Sequence, residues 1–149
     1  MTILHANTEL VAVAWLSGVN GISPAMVGTT VPEDNSTWAA SGFLQVEVLG
    51  GTPGFNLPWV NPVVRVHSWA NTGTSKKVPW GKAANLLELV RDATYVEAGK
   101  RRVTLPSGFP QARVAVAGLV GEPHRVPADT ASYAHYYVDM QMNWLEVAA

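Results

Sequence analysis

From Tyr133 to Val147 the chain alternates without interruption: Tyr136, Val138, Met140, Met142 and Trp144 fall on one side, and His135, Tyr137, Asp139, Gln141 and Asn143 on the other. A period of two held over that length predicts a long β-strand with one dry face and one polar face. Such a strand is not stable alone, so other segments must pair with it and cover its apolar side.

Three further segments fit that role. Phe43 to Leu49 places Leu44, Val46 and Val48 on one face and Gln45 and Glu47 on the other. Val63 to Ala70 sends Val64 and Val66 one way and Arg65, His67 and Trp69 the other, while Arg113 to Val120 alternates valines 114 and 116 with small residues. Two segments read as helices. The first runs from about Thr8 to Ser17, capped by Asn7, with Glu9 near its positive end and Gly18 as its stop; it has almost no polar side. Both of its sides are expected to pack, one on a sheet and the other on a second surface such as a neighbouring subunit. The second helix begins at Pro79 and buries Trp80, Ala83, Ala84, Leu87 and Val90.

Between these elements, Ala25 to Val31 is briefly extended, Tyr95 to Leu105 forms a small hairpin turning at Gly99, and VGEPHRVPADTAS is a long hairpin loop. Connections this short rule out parallel crossovers except through the second helix. The order therefore predicts an α+β fold in one domain of residues 1–149: a mixed, mainly antiparallel sheet of about four strands with two helices packed on one face.

Composition narrows the function. There is no cysteine, which removes disulfides, thiolate catalysis and cysteine metal sites. The net charge of −1 gives no global pull toward nucleic acid or anionic lipid, and the apolar run near the start is short and lacks a basic lead, so no membrane span or signal peptide is expected. A soluble intracellular product follows as an expectation. Charged residues make up 14% of the chain, against about a quarter in ordinary domains, and six tryptophans accompany them. A surface so poor in charge favours a subunit that is covered by neighbours.

Catalytic signatures fail on inspection. Gly81-Lys82 is followed by Ala83, and Lys76 stands where a phosphate-binding loop needs its first glycine. No serine occupies a nucleophile elbow, and the acids are scattered singly apart from Glu33-Asp34 in a turn. No two of the histidines, His5, His67, His124 and His135, have helical zinc spacing. His67 and His135 approach each other if their strands pair, with Asp139 on the same face, which allows a metal or acid–base site; an open sheet face carries such residues without any function as well. The expectation is no enzyme, no cofactor and no metal. Lys100, Arg101 and Arg102, with Lys76, Lys77 and Lys82 if the fold gathers them, can touch phosphates only nonspecifically, since no recognition helix accompanies them.

The segments VGTTVPEDNSTWAASGFLQVEVLGG, NPVVRVHSWANTGTSKKVPWGKAANLLELV and YYVDMQMNWLEV, taken with the element order, resemble the tail terminator proteins of long-tailed bacteriophages of actinobacteria. That resemblance implies a small α+β virion protein that closes into a six-fold ring at the head-proximal end of the tail tube. Such a ring stops tube polymerisation and offers a surface to the head–tail connector; its lumen can lie near DNA, and it assembles in the host cytoplasm. Another neck component, a head completion or adaptor protein, uses a similar subunit, and a small enzyme or ligand-binding domain is a third reading. The resemblance carries no catalytic residues.

Physical reasoning instead selects three candidate contact segments for ring neighbours, tube or connector. They are the loop with Val31, Pro32 and Trp38, the hairpin with Lys100, Arg101 and Arg102, and the loop with His124 and Arg125.

Overall fold

The computed structural model describes residues 4–53, 59–71, 78–95, 101–127 and 133–147. In chain order the elements are α1 (Thr8–Ser17), β1 (Val27–Gly28), β2 (Phe43–Pro53), β3 (Trp59–Asn71), α2 (Trp80–Tyr95), β4 (Arg101–Val103), β5 (Gln111–Leu119), β6 (His124–Val126) and β7 (Tyr133–Val147). Two single 3₁₀ turns, Pro24–Met26 and Asn35–Thr37, flank the connection into β2.

The class is α+β with two helices, as expected, but the sheet has seven strands rather than about four, in the order β1-β2-β3-β7-β5-β4 with β6 also on β7. The β1–β2 pair is parallel and every other pair is antiparallel. The additional strands β1, β4 and β6 are two or three residues long, too short for a period of two to register. The expected 95–105 hairpin is also corrected. Tyr95 ends α2, and β4 pairs with β5, Arg102 opposite Arg113; residues 96–100, including the proposed turn at Gly99, lie outside the described residues. Within the supposed long loop after β5, His124–Val126 pairs with His135–Tyr137.

Strand β7 keeps the limits its alternation predicts and sits between β3 on one side and β5 and β6 on the other. Leu44, Val46, Val64, Val66, Val114, Val138, Met140, Met142 and Trp144 line the helix side, each no more than 3% exposed. They merge with Val11, Ala12, Trp15 and Leu16 of α1 and with Leu86, Leu87 and Val90 of α2 into one apolar core. Burial of this kind is worth roughly 1.5–3 kcal/mol per large side chain.

Asn7 caps α1 as predicted, its side chain accepting from the Leu10 N–H at 3.0 Å. The helix's second apolar side, with Leu10, Val13 and Ala14 partly buried, also packs on the core. Trp80 and Ala84 of α2, expected inside, are only half-buried, because the buried stripe runs through Ala83, Leu86, Leu87, Val90 and Ala93. Ser68 is a fully buried polar side chain on β3; its hydroxyl donates to the Ala83 carbonyl at 2.6 Å and so pins α2 to the sheet.

Strand β2 extends past its predicted end because a bulge between Val48 and Gly50 lets it resume pairing with β3. Gly51 takes φ +148° there, and a Cβ at that position would lie 2.4 Å from the Pro62 Cα, so only glycine fits.

Candidate functional site on the open sheet face

The side of the sheet away from the helices carries the polar members of each alternation, and pairing sets them in rows. Gln45 opposes His67, and Trp69 opposes His135, while His67 opposes Tyr137, which in turn opposes His124 of β6. His67 occupies the centre with both ring nitrogens engaged. Its Nε2 lies 2.7 Å from Glu47 Oε2 and its Nδ1 lies 2.8 Å from His135 Nε2. The His67 side chain is only 14% exposed, whereas Glu47 is half in solvent.

The far end of this relay is held by stacking. The His135 ring lies flat on Trp69, 3.8 Å between centroids and 11° between planes, and the Trp69 Nε1–H donates to Gln45 Oε1 at 3.0 Å. Partial burial, followed by the neighbouring His67, pushes the His135 pKa down to about 4, so its ring is neutral at pH 7. With Glu47 accepting from His67 Nε2–H, one N–H on the His67–His135 axis accounts for the 2.8 Å contact between the two ring nitrogens.

Asp139, placed on the same face as His135 by the alternation, belongs to a separate pair. Arg65 grips it through Nε at 2.9 Å and Nη2 at 3.3 Å, and the Arg65 guanidinium also lies 4.3 Å over the Tyr137 ring. The hydrogen bond to Asp139, then its charge, holds the Arg65 pKa above its ordinary value. Among the described residues no group of three or more His, Asp or Glu side chains is gathered to hold a metal ion. Glu47 and Trp69, which complete the relay, were not paired with the histidines by sequence reasoning. Each shares a face with a polar neighbour in its own strand, but only the pairing of β2 with β3 and of β3 with β7 aligns them with the histidines.

The candidate contact residues separate into distinct places. Val31 and Pro32 are half-buried, and the Pro32 carbonyl accepts from Trp38 Nε1–H at 3.2 Å. Trp38, a candidate contact residue, is only 2% exposed; it packs on Phe43 and Tyr133, with ring centroids 6.4 and 6.0 Å away. Its place in a loop is explained by packing onto its own chain, where it closes one end of the open face. His124 and Arg125 are both exposed, and each also fastens β6: His124 stacks on Tyr137 at 5.0 Å, and the Arg125 guanidinium lies 3.7 Å over the Trp80 ring.

Lys100, Lys76 and Lys77 lie outside the described residues, and the backbone of Arg101 runs in β4. Lys82 does not join the basic group, because its ammonium is held by the Ala39 and Ala40 carbonyls. Arg102 is instead joined by Arg113, which sequence reasoning left aside. The two are exposed and directly opposite across β4 and β5, and the ion pairs among the described residues involve neither.

Compared with known proteins, the chain matches no protein-family model and no curated protein sequence. Among the described residues no helix is long and apolar enough to cross a membrane.

Proposed function

We propose that this chain is a structural virion subunit that closes into a ring at the head-proximal end of a phage tail tube, stops tube growth and receives the head connector. The observation that carries the reading is a separation of unmatched charge. Like charges directly opposite in a strand pair are unfavourable, yet Arg102 faces Arg113, and Arg113 in turn opposes Leu145 near one end of β7. The exposed acids Glu33 and Asp34 lie beside the other end, a few residues before the Trp38 ring that packs on Tyr133. Asp34 stays ionised, its pKa lowered by the Ser36 hydroxyl, which donates to it at 2.7 Å, and by the Ser36 N–H.

Tyr133 and Leu145 are separated along an extended strand by about 40 Å at the usual rise of roughly 3.3 Å per residue. One copy therefore does not neutralise its own patches. A second copy placed head to tail does, and a heterologous contact of that kind makes a ring when its rotation closes. The low charge elsewhere on the chain and the resemblance of its segments to tail terminators support the same reading.

The deciding experiment is light scattering and negative-stain imaging of the purified protein alone and mixed with tail tube protein. Rings, or tubes capped at one end and halted in growth, are the expected outcome. A monomer that ignores tube protein sinks the proposal, and binding to portal alone moves the chain to a head completion or adaptor role. Arg102→Glu with Arg113→Glu is expected to abolish assembly, and adding Glu33→Arg with Asp34→Arg to restore it.

A further inference from the structure

The ring reading makes no use of the Glu47–His67–His135 relay. We propose that His67 Nδ1 and His135 Nε2 form a two-histidine site for a divalent transition-metal ion of the Zn²⁺, Ni²⁺ or Cu²⁺ type, with Glu47 as the carboxylate that orients His67. The two nitrogens face each other across paired strands at 2.8 Å. Two imidazole ligands at about 2.0–2.1 Å from a tetrahedral ion sit about 3.3 Å apart, so the nitrogens must part by about half an ångström and the rings must tilt until both lone pairs, which now lie along the N–H···N axis, converge on the ion.

The outer partner is already in place. Histidine ligands characteristically donate their second ring N–H to a carboxylate, and the 2.7 Å contact from His67 Nε2 to Glu47 Oε2 is that arrangement. It fixes the tautomer in which His67 Nδ1 has a free lone pair. His135 is oriented independently, by the flat stack on Trp69 and by the hold of Gln45 on the indole N–H. To bind, His135 moves its proton from Nε2 to Nδ1, a tautomer change that frees Nε2 for the ion.

Two protein ligands leave the remaining positions to water or to an incoming group, so the site is open rather than structural. Nitrogen donors without thiolates favour the late first-row ions, with Cu²⁺ bound most tightly and Ca²⁺ and Mg²⁺ rejected. The other groups on this face stand apart from the pair, because Asp139 is engaged by Arg65 and Tyr137 lies between His124 and His67 in the register.

The test is isothermal titration of chelator-treated protein with ZnCl₂, NiCl₂ and CuCl₂ near pH 7.5, with MgCl₂ as the control. One ion per chain is expected, with affinity falling at least 50-fold in His135→Gln and His67→Gln and about 10- to 100-fold in Glu47→Gln. His5→Gln and His124→Gln are expected to bind as the parent does. Circular dichroism checks the fold of each variant. Independently of any variant, ring-nitrogen NMR of the parent protein is expected to show one imidazole coordinated through Nδ1 and another through Nε2. Undiminished binding in a folded His135→Gln protein, coordination confined to other histidines, or no uptake at millimolar metal overturns the proposal. Ring formation with tube protein is scored separately, so loss of metal binding and loss of assembly are distinguishable.

Discussion

The two sides of one sheet are built on different physics. On the helix side, Leu44, Val66, Val138 and Met140 meet α1 and α2 in a continuous apolar core, where the gain grows with buried area and has little directional demand. On the open side, the intervening residues of the same strands form discrete contacts: Glu47 to His67 to His135, Arg65 to Asp139, Trp69 on His135. Each needs particular atoms at particular distances. One side therefore supplies most of the stability, and the other, which contributes less, is available for chemistry or recognition.

Substitutions of graded severity break or sharpen that contrast. Trp15→Ala, at a ring with no exposed surface, is expected to cost about 3–5 kcal/mol in urea or guanidinium unfolding. A loss under 1 kcal/mol there means that the helix side is not the main source of stability.

The metal-free protein should next show an acid-sensitive open face. The folded pKa of His135, about 4, is below its ordinary 6.5, so the unfolded chain takes up the proton first. The contribution is therefore full above pH 6.5, declines as the pH falls from 6.5 to 4 and is flat below. The shift sets a ceiling of about 3 kcal/mol, and solvent screening of a half-buried ring reduces it to on the order of 1–2 kcal/mol. In His135→Gln this part of the pH dependence of denaturant midpoints should vanish; an unchanged profile assigns it to another group.

Asp139→Asn removes one partner of an ion pair whose side chains are 30% and 31% exposed, and should cost about 1 kcal/mol by chemical denaturation. At the small end, Arg113→Gln relieves the repulsion with Arg102 and is expected to leave stability unchanged or raise it by up to about 0.5 kcal/mol. A clear destabilisation would show that the arginine corner serves the fold rather than a partner.

The same contrast explains what was legible in the sequence. Period-two and helical patterns report sidedness, so the limits of β7, the cap of α1 and the apolar sides of β3 and β7 could be read directly; in β5 a bulge between Val114 and Val116 turns Val116, expected on the covered face with Val114, out to 52% exposure. The short strands β1, β4 and β6 take their conformation from a neighbour, not from their own residues, and Pro123 and Pro127 around β6 read as loop. Trp38 looked available because loops usually lie outside; its burial depends on Phe43 and on Tyr133, a residue far along the chain. On the open face, the approach of His67 to His135 followed from strand pairing. Assigning Asp139 to Arg65 required the register of β3 on β7, and Glu47 to His67 that of β2 on β3, which no single strand reveals.

The place of β7 in the sheet also sets the timing of folding on the ribosome. Strands β1 to β3 form one group and β4 with β5 another, and among the described residues β7 is the strand that joins them. It is also made after all of them. Until it emerges, the apolar sides of β3 and β5 have no shared core to enter, and most of its contacts span long stretches of chain, a pattern associated with slow folding and transient exposure. A nascent chain halted before Tyr133 thus leaves these apolar sides open to chaperones until β7 is made.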